Sequence, residues 1–308
     1  MIELRRLHRL FDDTHAVNGV TFTVGAGEVF GYIGPNGAGK TTSMRILATL
    51  DEPSAGDAFV DGLSVVDDPE RVRRRLGFMP DYYGTYENVN VREYLDFFAR
   101  AYGLQGSERR RAIDYAMDFT ELGPLAAKPI DGLSKGMKQR LALGRTMIHD
   151  PAVMVLDEPA AGLDPRARIE LREMISRLAE VGKAVLISSH ILTELAEVCH
   201  RVGIIEQGRL LAVGAVDEIS NAVAAHSRVH VRVLEGADEL ADWLRSHDGV
   251  ADLSRSGDQL LFDHTGDEAS QAELLAEIIA TGKRVVEFGC RPMSLEDVFL
   301  QVTKGRVQ

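Results

Sequence analysis

Over the first two-thirds of the chain, short and nearly unbroken apolar runs alternate with stretches of helical period. "EVFGYIG" reads as a buried strand running into glycines, and "AVMVLDEP" as a second, apolar up to its two acids. "KAVLISSH" is a third, ending in polar residues and a histidine. Apolar runs this short, bounded by turn residues, suit strands covered on both faces. Between them "RIELREMISRLAEVG" has helical spacing, with Gly182 as its stop. "GIIEQGRLLAVG" predicts a hairpin turning at Gln207-Gly208. Strand and helix alternating in this way predict a parallel sheet covered by helices. Beyond Ile219 the pattern changes to strand, helix, two short strands around Gly257, helix, strand, and a last amphipathic helix in "SLEDVFLQVTK". Its βαββαβ core is the ferredoxin-like order. The expected division is therefore residues 1–219 and 220–308.

Composition narrows the class. The chain has 308 residues, 45% hydrophobic and 27% charged, which suits a globular protein of two domains. No apolar run nears the roughly 18 residues of a membrane span, and the start, "MIELRRLHRLFDD", is too broken by charge for a signal peptide. A net charge of -12 opposes broad nucleic-acid binding, so none is expected. The arginine runs near Arg71 and Glu108 read as local basic patches or as solvated helix faces. Cys199 and Cys290, the only cysteines, lie far apart without metal-like spacing, as reduced cytosolic thiols would.

Chemistry concentrates at the strand ends. "GPNGAGKTT", Gly34 to Thr42, fits G-x-x-x-x-G-K-[ST] in full, preceded by a strand and followed by a helical run. Gly34, Asn36, Gly37 and Gly39 let backbone N–H groups turn inward around phosphates, and the next helix adds its positive end. Lys40 reaches the β- and γ-phosphates, with Thr41 and Thr42 beside it and the Thr41 hydroxyl set to ligate Mg²⁺. In "VMVLDEP" the two acids stand at the carboxyl edge of a parallel sheet, where ligands gather. Asp157 can hold Mg²⁺. Glu158 can polarise a water for attack on the γ-phosphorus, or merely cap the turn at Pro159. "LSKGMKQR" sets Ser134 and Gly136 at the head of another helix, an anion site with no phosphate of its own. His190 ends the third strand, as a functional or a structural residue.

The ordered set "GPNGAGKTT", "LSKGMKQR", "VMVLDEP", "AGLD" and "SSH" resembles the nucleotide-binding subunit of an ATP-binding cassette (ABC) transporter over residues 1–215. The tail, in "RPMSLEDVFL", resembles the accessory domain of the drug- and lipid-exporter branch. The resemblance implies a P-loop α/β cassette: a mainly parallel sheet with helices, a β subdomain, and a helical subdomain carrying the signature sequence. It also implies ATP and Mg²⁺ as ligands, ATP hydrolysis, and a head-to-tail homodimer beneath separately encoded membrane subunits on the inner face of the membrane. In that dimer Ser134 and Gly136 would touch the partner's γ-phosphate, and Asp164 would cross beside the hydrolytic water. His190 would contact the γ-phosphate. Phe11 falls where the family stacks an aromatic on adenine, though a core phenylalanine is the alternative. A soluble cassette protein or a nucleotide-gated regulator without turnover is the competing function.

Two positions depart from the family. The signature carries Lys135 and Met137 where glycine and glutamine are usual, placing a positive charge near the partner's nucleotide and removing an amide. Asp81 replaces a glutamine that ligates Mg²⁺. It keeps an oxygen but is shorter and ionised, so it is either a metal ligand or a cap of the "YYGTYE" turn. Tyr82, Tyr83 and Tyr86 beside it fall where the family docks a helix of the membrane subunit, and suit such a groove or packing within the domain.

Overall fold

The computed structural model describes residues 1–82, 84, 88–190, 197–216, 218 and 226–292. Tyr83, Tyr86 and the helix expected over 294–304 lie outside the described residues. The chain divides into two compact units between Ala215 and Val216.

The first unit is built on a sheet of six strands: β3 (Val29–Ile33), β6 (Leu76–Met79), β7 (Val153–Leu156), β8 (Ala184–Ser189), β9 (Arg201–Glu206) and β10 (Arg209–Ala215). Their order is β10-β9-β3-β8-β7-β6, parallel from β9 to β6. Every residue of β3, β7 and β8 is buried, the condition that makes them apolar runs in sequence. β10 returns antiparallel through a two-residue turn in which Gln207 and Gly208 both have positive φ, 48° and 74°, the type I′ geometry that matches strand twist.

A second, antiparallel sheet of β1 (Ile2–Phe11), β2 (Thr14–Val24), β4 (Ala55–Val60) and β5 (Leu63–Ser64) shares the core with it through Leu4, Val20, Phe22 and Phe30. Helix α1 (Lys40–Leu47) follows β3, and α2 (Pro69–Arg75) precedes β6. Helices α3 (Val91–Ala101), α4 (Gly106–Phe119) and α5 (Lys135–Met147) pack on one another, burying Tyr94, Ile113, Ala116 and Leu141. An Asn90–Glu93 capping box starts α3. Helix α6 (Pro165–Glu180) lies between β7 and β8 in sequence, and its chain turns at Gly182, φ 87°. The arginine runs lie in α2 and α4, where Arg71 and Arg75 make exposed pairs with Asp68 and Asp61.

The second unit has β11 (His226–Val233), α7 (Ala237–Arg245), β12 (Val250–Ser256), β13 (Gln259–Thr265), α8 (Glu268–Ala280) and β14 (Val285–Pro292). The all-antiparallel sheet order β12-β13-β11-β14 is that of the ferredoxin-like arrangement. Val229, Val231, Leu260 and Phe262 form its core with Leu240, Leu244, Leu274 and Ile278 of the two helices.

Candidate functional site

The parallel order sets the site. Adjacent parallel strands end at one edge of the sheet, so the segments leaving β3, β8, β7 and β6 converge there. They carry Lys40, His190, the pair Asp157–Glu158, and Asp81.

The loop from Gly34 to Gly39 must be glycine-rich for a steric reason. At Gly39, φ 103°, a Cβ atom would stand 2.2 Å from the carbonyl oxygen of Ala16 in β2. That close approach brings the start of β2, and the Phe11–Thr14 turn before it, to the mouth of the loop. Ala38 and Gly208 join loop and hairpin through an N–H to carbonyl bond of 2.9 Å. Lys40 is 5% exposed and donates to the carbonyls of Gly34 (2.6 Å) and Pro35 (3.2 Å). Burial pushes its amine below the ordinary lysine value, partly countered by the charge of Glu158.

Asp157 is fully buried. The Ser188 hydroxyl donates to its Oδ1 at 2.5 Å and accepts from the backbone N–H of Glu158 at 2.8 Å, so one side chain on β8 fixes both acids. Asp157 Oδ2 is buried and receives no hydrogen bond among the described residues. Burial raises the carboxyl above its ordinary value against the pull of Ser188 and Thr41, and the charges of Asp81 and Glu158 add to the rise. A buried, unsatisfied carboxylate oxygen beside a threonine hydroxyl fits a hard cation.

Glu158 takes a left-handed backbone, φ 46°, strain of the kind that gathers at functional sites. Its Oε2 lies 2.8 Å from His190 Nδ1 and its Oε1 3.5 Å from Lys40 Nζ. The buried Gln139 amide donates to the Pro159 carbonyl and holds the turn behind it.

Asp81 Oδ1 accepts from the N–H of Tyr82 at 2.8 Å, a local turn bond, while its charge still reaches Asp157. Tyr82 is 81% exposed and is not packed within the domain. Asp81, Tyr82, Lys138 and Glu158 line a cleft of about 350 Å³. Lys135, which also lines that cleft, folds back so that its amine lies against Gly162 of its own chain.

The remaining positions have local partners. Ser134 caps α5, accepting from Met137 N at 3.3 Å, and Asp164 caps α6, accepting from Ala167 N at 3.0 Å. Gly136 lies where a Cβ would come within 3.0 Å of Ala167 Cβ. Phe11 does not enter the core: it is 43% exposed, with the Arg9 guanidinium 4.4 Å from its ring centre. Sequence reasoning missed Ser188, although "SSH" displayed it beside the histidine, and missed Gln139 inside the signature helix.

A glycine loop wrapping toward a buried lysine, with two acids following β7 at the same sheet edge, defines a P-loop nucleotide-binding protein. Comparison with known proteins sharpens the class. Residues 17–161 match the family model described as ABC transporter, and residues 214–303 match that of the ATP-binding protein DrrA1-3-like, C-terminal domain. The Nod factor export ATP-binding protein I of Burkholderia thailandensis is 34% identical over 311 residues, covering 100% of this chain and 98% of that protein. The probable multidrug ABC transporter ATP-binding protein YbhF of Escherichia coli is 35% identical over 249 residues, 80% of this chain and 43% of that protein. A solved structure of the ATP binding subunit of an ABC transporter superposes with a TM-score of 0.65 at 32% identity, covering 72% of this chain and 92% of its own. The chain belongs to the ATP-binding subunits of ABC transporters. It binds ATP and is an ATPase that energises transport.

Proposed function

We propose that this chain drives an exporter, and that Glu158, held between Lys40 and His190, is its hydrolytic base. The observation that carries this reading is the set of contacts at the sheet edge: Glu158 bonded to His190 at 2.8 Å and facing Lys40 at 3.5 Å, next to an Asp157 whose Oδ2 has no hydrogen-bond partner among the described residues. Asp157 and Thr41, with Asp81 in reach, would hold Mg²⁺, which when bound supplies positive charge beside the phosphates. The backbone N–H groups of the loop from Gly34 to Gly39, with Thr42, hold the phosphates. Lys40 exchanges its Glu158 contact for phosphate oxygens, which frees the carboxylate. Glu158 then takes the proton of the attacking water while His190 orients it from the other side.

Ser134 and Asp164 cap helix starts and Gly136 lies in the first turn of its helix, positions that support a head-to-tail homodimer in which they meet the partner's nucleotide. Phe11, exposed beside the mouth of the loop, is the platform for the base. The exposed Tyr82 is the described part of a groove for a membrane subunit, which holds the protein at the inner membrane face. Among the described residues no helix is long and apolar enough to cross a membrane. The export direction follows the Nod factor export relatives.

Sedimentation of the Glu158→Gln variant tests the dimer. MgATP is expected to shift it to a dimer that ADP does not form, and Ser134→Arg to abolish the shift. A monomer with both nucleotides would remove the homodimer.

A further inference from the structure

Arg9 has an environment that packing does not explain. Its Nε is buried without a hydrogen bond among the described residues, and its guanidinium covers a ring that is itself 43% exposed. Covering an exposed ring does little for the core, while stripping water from a guanidinium nitrogen is costly. The guanidinium is nonetheless firmly placed. Its Nη1 donates to the Glu52 carbonyl at 2.8 Å. Next to Glu52, Asp51 receives Arg45 at 2.7 Å and 3.2 Å through its two carboxylate oxygens. The Asp51 carboxyl is held low, chiefly by Arg45 and in lesser part by the charge of Arg9. Arg45 sits on α1, the helix that opens with Lys40 and Thr41. The end of β1 is pinned to the same segment, because Leu10 N donates to Ser54 Oγ at 3.0 Å and Ser54 N to the His8 carbonyl at 2.8 Å.

From this path we infer that Arg9 is a positioning residue for nucleotide binding, one that backs the Phe11 ring and ties it through Glu52, Asp51 and Arg45 to helix α1. The base platform and the phosphate loop are then held at one spacing before nucleotide arrives, which lowers the ordering cost of binding. The guanidinium contributes as a cation–π partner on one face of the ring, leaving the other for the base. This rests on the reading of Phe11 as the base platform.

The test measures the dissociation constants of ADP and of inorganic tripolyphosphate for wild type, Arg9→Met, Arg9→Lys, Phe11→Ala and the double variant Arg9→Met/Phe11→Ala. Near-ultraviolet circular dichroism confirms that each is folded. Arg9→Met is expected to weaken ADP about fivefold, roughly 1 kcal/mol, and to leave tripolyphosphate unchanged. Arg9→Lys, keeping a cation, is expected to retain most of the affinity, and Arg9→Gln, which removes the cation and is expected to lose as much as Arg9→Met, stands in if the methionine variant does not fold. Adding Arg9→Met to Phe11→Ala is expected to cost nothing further. Three results overturn the inference while leaving Phe11 as the platform: equal losses for ADP and tripolyphosphate, an undiminished loss in the Phe11→Ala background, or unchanged or tighter ADP binding when Phe11→Ala weakens it. If Phe11→Ala itself leaves ADP affinity unchanged, the platform reading fails and the role of Arg9 falls with it.

Discussion

Asp157 at the end of β7 and Asp263 within β13 are both carboxylates removed from solvent, 0% and 2% exposed. Their surroundings are opposite. Asp263 lies in an antiparallel ladder with Arg228 of the neighbouring strand at 3.5 Å, so its charge has a built-in counterion. Asp157 lies at the open edge of a parallel sheet, where Asp81 and Glu158 add negative charge. The fold thus sets a counterion in contact with a structural acid, while the acid that meets a ligand has no direct ion pair among the described residues and feels only the more distant charge of Lys40. Burial alone does not separate the two; the partner does.

The largest effect that sharpens this contrast is on activity. Asp157→Asn is expected to slow ATP hydrolysis at least about 100-fold, measured as phosphate release, without weakening the fold. The Asp157 carboxyl is raised above its ordinary value, so the stability tied to it is complete below about pH 4 and is lost as pH rises through its folded value. At neutral pH the amide relieves that loss, and the urea midpoint should stay level or rise. Asp263→Ala should do the reverse, costing about 3 kcal/mol of unfolding free energy with hydrolysis per folded molecule unchanged. Equal behaviour of the two variants would break the comparison.

A smaller effect comes from a half-buried group at neither site. His149 stacks on Tyr102, ring centres 3.7 Å apart, and burial pushes its imidazole down to about 4. Because its folded value lies below the unfolded one, its contribution is present above pH 6.5 and is lost as pH falls from there to about 4. The loss amounts to at most about 3 kcal/mol. Urea unfolding across that range should show the decline in wild type and a flatter profile in His149→Gln.

The same physics decided what could be read before the fold was seen. Strands β3, β7 and β8 stood out because burial on both faces makes a strand a solid apolar run, with its chemistry at the end. Strand β1 did not: register shifts near Leu4, Leu7 and Arg9, with Arg6 at φ 45°, destroy the period of two. Lys40, Asp157 and Glu158 were legible from motif spacing. Ser188 was not, since its role depends on β8 lying beside β7, a register that no local pattern encodes. The contact of the Lys135 amine with Gly162 of its own chain was not legible either. The path of a long flexible side chain is set by its neighbours in space, which sequence order conceals.

The contacts of Glu158 with Lys40 and His190 are most directly tested by the rate of MgATP hydrolysis in wild type and in Glu158→Gln, with ATP binding measured on the same samples. The amide cannot take a proton from water, so turnover should fall at least about 100-fold while ATP still binds. Equal turnover in the two proteins would contradict the assignment of Glu158 as the base and leave it a structural partner of Lys40.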